Sequence, residues 1–277
     1  MKKVCIIYHP MKQKAVKLAR ELEKFLNDKG VKAWICSAWE SDLARSKLNG
    51  TDLILSIGGD GTILRAAQAV VPEKIPITGI NVGNLGFMTE LSVREAHEKI
   101  GSLLAGEGWL DERFLLEAEL TPANKGEKRK FHALNDVVVA RGAIVRVIHI
   151  KASIDNQPLT TYKADGVIVA TATGSTGYAY AAGGPILHPH AKEMVLAPIM
   201  PHISASYCLV LPSTSKIKLE VETVHPATLS IDGHTNISIE SGAVITVKHS
   251  HDTVRFLRIH PEAEFYSSLE KRLKGKG

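Results

Sequence analysis

The segment Gly58-Gly59-Asp60-Gly61-Thr62 sets one carboxylate among glycines. It follows the apolar run Leu53–Ile57 and precedes the apolar stretch Ile63–Val71. A strand, a glycine loop and a helix start together make a phosphate site. The glycines let the backbone approach the anion, and the first helical N–H groups point at it. The pattern is neither a P-loop nor a dinucleotide fingerprint. Phosphates repel a carboxylate, so Asp60 belongs there if it holds a metal or takes a proton from a hydroxyl as a general base. Arg65, on the first turns of the same helix, reaches the same phosphates. The alternative is a tight turn in which Asp60 only caps the helix.

Two further segments carry chemistry. Asp165-Gly166 leads into an apolar strand, which is followed by Thr171-Ala-Thr-Gly-Ser-Thr-Gly-Tyr178-Ala-Tyr180-Ala-Ala-Gly-Gly-Pro185. Small residues let a ligand lie flat on this backbone. Thr173, Ser175 and Thr176 offer hydroxyls, and Tyr178 offers a ring for stacking. A flexible surface loop is the alternative. Asn135-Asp136 interrupts the apolar strand His132–Arg141 with two groups that can hydrogen-bond ribose hydroxyls; a strand edge or bulge is the alternative.

These residues need a frame. Val4–Tyr8 reads as a buried strand. Ala15, Leu18, Ala19, Leu22, Phe25 and Leu26 recur at helical spacing until Gly30. Val31–Cys36, Leu53–Ile57 and Ile77–Val82 read as strands. Ile63–Val71 reads as a helix, and Ser92 with Glu95 makes a capping box for another through Leu104. This rhythm predicts a parallel sheet wrapped by helices. From Leu115 the helical period fades. Leu115–Leu120, His132–Arg141, Val145–Ile154, Val167–Ala170, Cys208–Leu211, Lys216–Glu222, Thr228–Ile231, Ala243–Lys248 and Val254–Ile259 read as strands, with turns at Asp155-Asn156 and Asp232-Gly233. The expected fold class is α/β plus all-β. Residues 1–110 form an α/β phosphate-loop domain, and 111–260 form a β-sandwich-like domain. A helix within 261–277, with Phe265, Leu269 and Leu273 on one face, returns to the first domain.

Composition narrows the partners. The 277 residues are 44% apolar and 23% charged, within the ordinary globular range, so a folded core is expected rather than disorder. The net charge of +5 favours anionic partners. No basic run is interleaved with aromatics, and the cluster Lys125–Lys130 reads as a solvated turn, so a nucleotide is expected rather than nucleic acid. Cys5, Cys36 and Cys208 show no paired spacing, which fits a reducing compartment and neither a disulfide framework nor a zinc site. His188/His190 and His249/His251 are the tightest of the twelve histidines and match no recognised metal spacing. No run approaches the roughly 18 apolar residues of a spanning helix, and Lys2–Pro10 lacks the length and cleavage site of a signal peptide. The reading is cytoplasmic, with no membrane partner.

The order GGDGT, LNDVVV, DGVIVATATGSTGYAYAAGGP resembles the NAD kinase family. Its pattern is a GGDGT loop, an Asn-Glu pair and a DG…TPTGSTAYSLSAGGP segment. The similarity takes in Asn81–Phe87, Ala197–His202 and Asp232-Gly233. The first motif alone is shared with lipid kinases and phosphofructokinases; the third is specific. By this resemblance Asp60 activates the 2′-hydroxyl of the adenosine ribose of NAD, and Gly58, Gly59, Gly61 and Thr62 shape the phosphate loop. Asn135 and Asp136 hold the ribose, Thr176 and Tyr178 meet the adenine region, and Gly177 and Ala181 belong to the same NAD site. Arg65, Arg146, Lys163, Asp165 and His234 match positions that complete the NAD site, Asp165 toward the nicotinamide. The donor is ATP or a polyphosphate, with magnesium carried by its phosphates rather than by a protein-only metal site. A homodimer or homotetramer with shared active sites is implied. Asp136 stands where Glu is usual, Ala172 where Pro is, Gly177 where Ala is, and His234 where Gln often stands. Tyr180 and Ala181 stand where Ser and Leu are common.

Overall fold

The computed structural model describes residues 1–83, 86–124, 126–144, 146–202, 206–262 and 264–274. Asn84 and Leu85 of the Asn81–Phe87 motif, Lys125 of the basic cluster, Val145 of the expected strand Val145–Ile154 and Ala263 of the tail lie outside the described residues. Met1–Glu112 with Thr253–Gly277 form one unit, and Arg113–Asp252 the other.

The first unit opens with β1 (Lys3–Tyr8), α1 (Gln13–Asp28), β2 (Lys32–Ser37), α2 (Ser41–Lys47), β3 (Leu53–Gly58), α3 (Asp60–Val70), β4 (Ile77–Asn81), β5 (Leu91–Ser92) and α4 (Val93–Ala105). The main strands are parallel in the order β4-β3-β1-β2. All six residues of β3 are buried, as a strand covered on both faces requires. Helix α1 buries the stripe Ala15, Leu18, Ala19, Leu22 and Leu26. The capping box forms: Ser92 Oγ accepts from Glu95 N–H, and the Glu95 carboxylate accepts from Ser92 N–H at 2.8 Å. The chain runs from β2 at the edge back past β1 to β3, so strand order reverses between β1 and β3. In open α/β sheets ligands bind at the carboxyl ends of the strands beside such a reversal. The Asp60 loop leaves the carboxyl end of β3 there, and His9 N–H, just past β1, donates to Ile57 O at 3.0 Å.

The second unit is built from β6 (Trp109–Thr121), which starts in the first, then β7 (Arg129–Ala133), β8 (Asp136–Arg141), β9 (Ile148–Ile154), β10 (Gln157–Ala164) and β11 (Gly166–Ala170). A short helix α5 (Tyr178–Ala181) follows, then β12 (Met194–Ile199), β13 (Leu209–Leu211), β14 (Lys216–Glu222), β15 (Ala227–Ile231), β16 (Thr235–Ile239) and β17 (Val244–Arg258). One sheet is antiparallel in the order β13-β12-β11-β8-β15-β16. The other orders β10-β9-β14-β17, with β6 on β17 and β7 on β6. Val137, Val139, Val167, Val169 and Leu229 of the first share one core with Ile148, Ile150, Ile217, Leu219 and Ile245 of the second. This is a sandwich of two sheets.

The structure departs from the sequence expectation in several elements. His132–Arg141 is two strands, broken at Leu134-Asn135. Ala243–Lys248 and Val254–Ile259 belong to one strand, β17. Its residues from Thr253 lie in the first unit rather than in the β domain drawn to residue 260, because Phe256 pairs in parallel with Ile77 and Leu257 O accepts from Thr78 Oγ1 at 2.9 Å. Helices α2 and α5 and strands β5, β10, β12 and β16 are additional. The last helix, α6 (Glu264–Lys274), belongs to the first unit, and Arg272 Nη1 donates to Gly86 O. Among the described residues no helix is long and apolar enough to cross a membrane.

Candidate active site

Gly58 closes β3, Gly59 caps α3, and Asp60 is its first residue. The loop closes on itself through Thr62 N–H to Gly59 O at 2.9 Å. Thr62 is buried with its hydroxyl against Gly58: a β-carbon at Gly58 would stand 2.0 Å from Thr62 Oγ1. Thr62 therefore props the loop from inside. Gly59 and Gly61 differ, since a β-carbon on either meets nothing within 4 Å and neither has a positive φ. Neither packing nor backbone strain demands glycine at these two positions. Arg65 lies one turn beyond Gly61 on the same face and is partly exposed.

The Asp60 carboxylate is held by a second loop. Oδ2 accepts from Phe87 N–H at 2.8 Å and Oδ1 from Met88 N–H at 3.0 Å. Gly86 admits this grip, because a β-carbon there would stand 2.2 Å from Asp60 Oδ1. Arg258 secures the loop from behind, donating to Met88 O at 2.8 Å while paired with Asp111 and Glu90 in a buried cluster.

In the second unit one buried carboxylate shapes the Asn135-Asp136 turn. Asp232 accepts from the N–H groups of Leu134, Asn135 and Asp136 at 2.9, 2.7 and 3.1 Å. These amides leave the ladder, which is why β7 and β8 are separate. Asp136 is buried, and burial, with the Asp232 carboxylate second, pushes its pKa up to about 7. Asn135 Oδ1 is buried and has no hydrogen-bond partner among the described residues.

The Thr171–Tyr178 segment packs on this turn. Thr171 N–H donates to Asn135 O and Thr171 Oγ1 to Leu134 O, at 2.8 and 2.6 Å. Gly174 passes so close that a β-carbon would stand 2.1 Å from Asn135 O. Ser175 Oγ donates to Ala172 O and accepts from Leu187 N–H, and Thr173 Oγ1 accepts from buried Arg113. Thr176 Oγ1 donates to Thr173 O at 3.4 Å. Where the sequence suggested ligand hydroxyls, Thr173, Ser175 and Thr176 knit the turn. Tyr178, 47% exposed, presents its ring at the start of α5, with Gly177 and Ala181 beside it. His234 Nδ1 lies 3.1 Å from Asp232 O, beside the same turn.

Arg146, Lys163 and Asp165 gather elsewhere. Asp136 pairs with Ala170 and Ala140 with Gly166, so Asp165 lies beyond the opposite end of this ladder, about 17 Å along the strands. Arg141 Nε stands 3.1 Å from Asp165 Oδ1 without the angle of a hydrogen bond. Lys163 pairs with His149. A cavity of about 690 Å³ there is lined by Arg141, Arg146, His149, Glu222, Val224 and His225. Sequence reasoning did not find Arg113, Gly86 or the role of the Asp232 carboxylate; their partners lie 26 to 98 residues away, and Asp232 was legible only as a turn.

Two family models cover most of the chain: the ATP-NAD kinase N-terminal domain over residues 28–108 and the ATP-NAD kinase C-terminal domain over residues 134–259. The chain belongs to the NAD kinase family. It is 50% identical over 274 residues to an NAD kinase of Dehalococcoides mccartyi, covering 99% of this chain and 96% of the relative. It is 38% identical over 275 residues to an NAD kinase of Chloroflexus aurantiacus, covering 99% of each. An NAD kinase from Archaeoglobus fulgidus, solved in complex with ATP, superimposes over all of both chains with a TM-score of 0.78 at 25% identity. A yeast NADH kinase complexed with NADH shares the fold, with a TM-score of 0.88 at 22% identity over 99% of this chain and 88% of that one. The activity of this NAD kinase family member is phosphoryl transfer to NAD.

Proposed function

We propose that the chain moves the terminal phosphoryl group of ATP, or of an inorganic polyphosphate, onto the 2′-hydroxyl of the adenosine ribose of NAD, giving NADP. One observation carries this reading: the Asp60 carboxylate, fixed by two amides at the mouth of α3, stands between glycines that nothing packs against. Each of its oxygens keeps a lone pair for a hydroxyl proton. The ribose O2′ attacks the terminal phosphorus in line. The O2′–P bond forms, the bond from phosphorus to the bridging oxygen breaks, the proton passes to Asp60, and ADP or the shortened polyphosphate leaves. The N–H groups of Asp60 and Gly61 and the guanidinium of Arg65 offset the phosphate charge.

Asn135 and Asp136 take ribose hydroxyls, a role supported by the unpartnered Asn135 Oδ1. Thr176, Gly177, Tyr178 and Ala181 line the adenine, with the Tyr178 ring stacked on it, and His234 borders the same ligand. Arg146, Lys163 and Asp165 serve the dinucleotide of a neighbouring subunit in a homodimer or homotetramer, Asp165 toward the nicotinamide. Their distance from Asp136 along the sheet supports that assignment. Magnesium on the donor phosphates would neutralise charge on the transferring group. The Asp60 carboxylate, whose oxygens each keep a lone pair beyond the bonds from Phe87 and Met88, would share an ion carried that way. The free thiols Cys5, Cys36 and Cys208 suit a reducing cytoplasm.

The test is purified protein with NAD, magnesium and either ATP or polyphosphate, read by an NADP-specific dehydrogenase, with 31P NMR to place the new phosphate. A 2′-phosphomonoester is expected. No NADP from either donor would reject the reading.

A further inference from the structure

One peptide group stands between a guanidinium and the Asp60 carboxylate. The N–H of the Gly86–Phe87 peptide donates to Asp60 Oδ2 at 2.8 Å, and its C=O accepts from Arg272 Nη1. In a trans peptide these two groups point in opposite directions, so holding one aims the other. Arg272 is itself ordered: half-buried on α6, it donates from Nε to Ser268 Oγ at 2.8 Å, and Ser268 Oγ donates to Phe265 O. Among the described residues the loop is also held by Gly86 N–H to Thr89 Oγ1 at 3.2 Å and by Arg258 at Met88 O, neither of which bonds the Gly86–Phe87 peptide. Gly86 carries no side chain that could do so, since one would strike Asp60. A cation on the carbonyl also polarises the peptide and strengthens the N–H bond on its far side.

We infer that Arg272 is a positioning residue for phosphoryl transfer: from the C-terminal helix it orients the Gly86–Phe87 peptide, which aligns the Asp60 carboxylate. The inference rests on the reading of Asp60 as the base. It assigns part of the reaction's precision to a residue 212 positions away in sequence, on the last helix. A positioned base contributes about 10²–10⁴-fold, so loosening its grip forfeits part of that factor.

The experiment uses the full chain in three forms: wild type, Arg272→Ala and Arg272→Lys. For Arg272→Ala, kcat falls about 10-fold while KM for NAD and for ATP stay within about 2-fold; Arg272→Lys, which keeps one donor, recovers most of the loss. A second readout does not depend on turnover. The protein has six phenylalanines, so 15N-phenylalanine labelling gives a sparse spectrum. The Phe87 amide proton moves upfield in Arg272→Ala and also in Asp60→Ala. An unmoved Phe87 resonance in Arg272→Ala, or an unchanged kcat, overturns the inference. So does a loss of kcat with equal loss of substrate affinity and no rescue by lysine. If Asp60→Ala keeps full turnover the base assignment fails instead, and the Phe87 resonance still decides whether Arg272 acts on this peptide.

Discussion

Asp136 and Asp232 hold each other through two hydrogen bonds while their carboxylates oppose. The N–H of Asp136 donates to Asp232 Oδ1 at 3.1 Å, and the N–H of Asp232 donates to Asp136 O at 3.0 Å. Both side chains are buried. The turn that presents Asn135 therefore contains a carboxyl group whose ionisation the fold resists.

That resistance has a pH signature. Burial, then the Asp232 charge, raises Asp136 from an ordinary 3.8 to about 7. A carboxyl raised on folding favours the folded state most below pH 3.8, and this contribution is lost as pH rises to about 7. The gap corresponds to about 4 kcal/mol. Asp136→Asn removes it, so the variant gains stability over wild type as pH rises from 4 to 8. Urea unfolding at each pH measures this; a difference that does not change with pH would contradict the assigned cause.

Asp60→Asn should separate chemistry from binding. The amide cannot take the ribose proton, and turnover falls by about 10²–10⁴-fold. NAD affinity by calorimetry stays within a few-fold. The amide also sets a donor against Phe87 or Met88 N–H, which costs about 1–3 kcal/mol of stability. Near-normal turnover would remove Asp60 from its role.

Gly86→Ala places a methyl 2.2 Å from Asp60 Oδ1. Either the carboxylate or the loop must move, at about 1–3 kcal/mol. We expect kcat to drop at least about 10-fold, with the far-UV circular dichroism unchanged. Full activity would mean that the Gly86 loop leaves Asp60 when the enzyme works.

Tyr162 gives an opposite expectation. It is fully buried, its hydroxyl has no hydrogen-bond partner among the described residues, and burial raises its pKa to about 12. Tyr162→Phe removes a desolvated polar atom and leaves no partner stranded, so it is neutral or stabilising by about 1 kcal/mol. A loss beyond about 1 kcal/mol would reveal a partner for the phenol.

The parts legible in sequence are those governed by neighbours along the chain. Apolar runs such as Leu53–Ile57, the stripe in α1 and the Ser92–Glu95 box state their structure within a few residues. The glycine loop was legible for the same reason. What escaped depends on distant partners. Leu134-Asn135 looks like strand until Asp232 withdraws its amides. Ser250-His251-Asp252 looks like a turn, yet Ser250 is buried and Asp252 lies 3.3 Å from His132 Nε2, so β17 runs through. Strand β10 hides behind Pro158 and a register shift at Thr160, and α2 buries only Ala44. Ser175 and Thr173 advertise hydroxyls without saying that Leu187 and Arg113 have engaged them.

The emptiness around Gly61 has a further meaning. It lies in the first turn of α3, where alanine would fit, and in a helix interior alanine is favoured over glycine by about 0.8–1 kcal/mol. The chain forgoes a gain that its own architecture would accept. Gly61→Ala is therefore expected to keep or raise stability, and a loss of turnover in that variant would trace to what binds at position 61 rather than to folding.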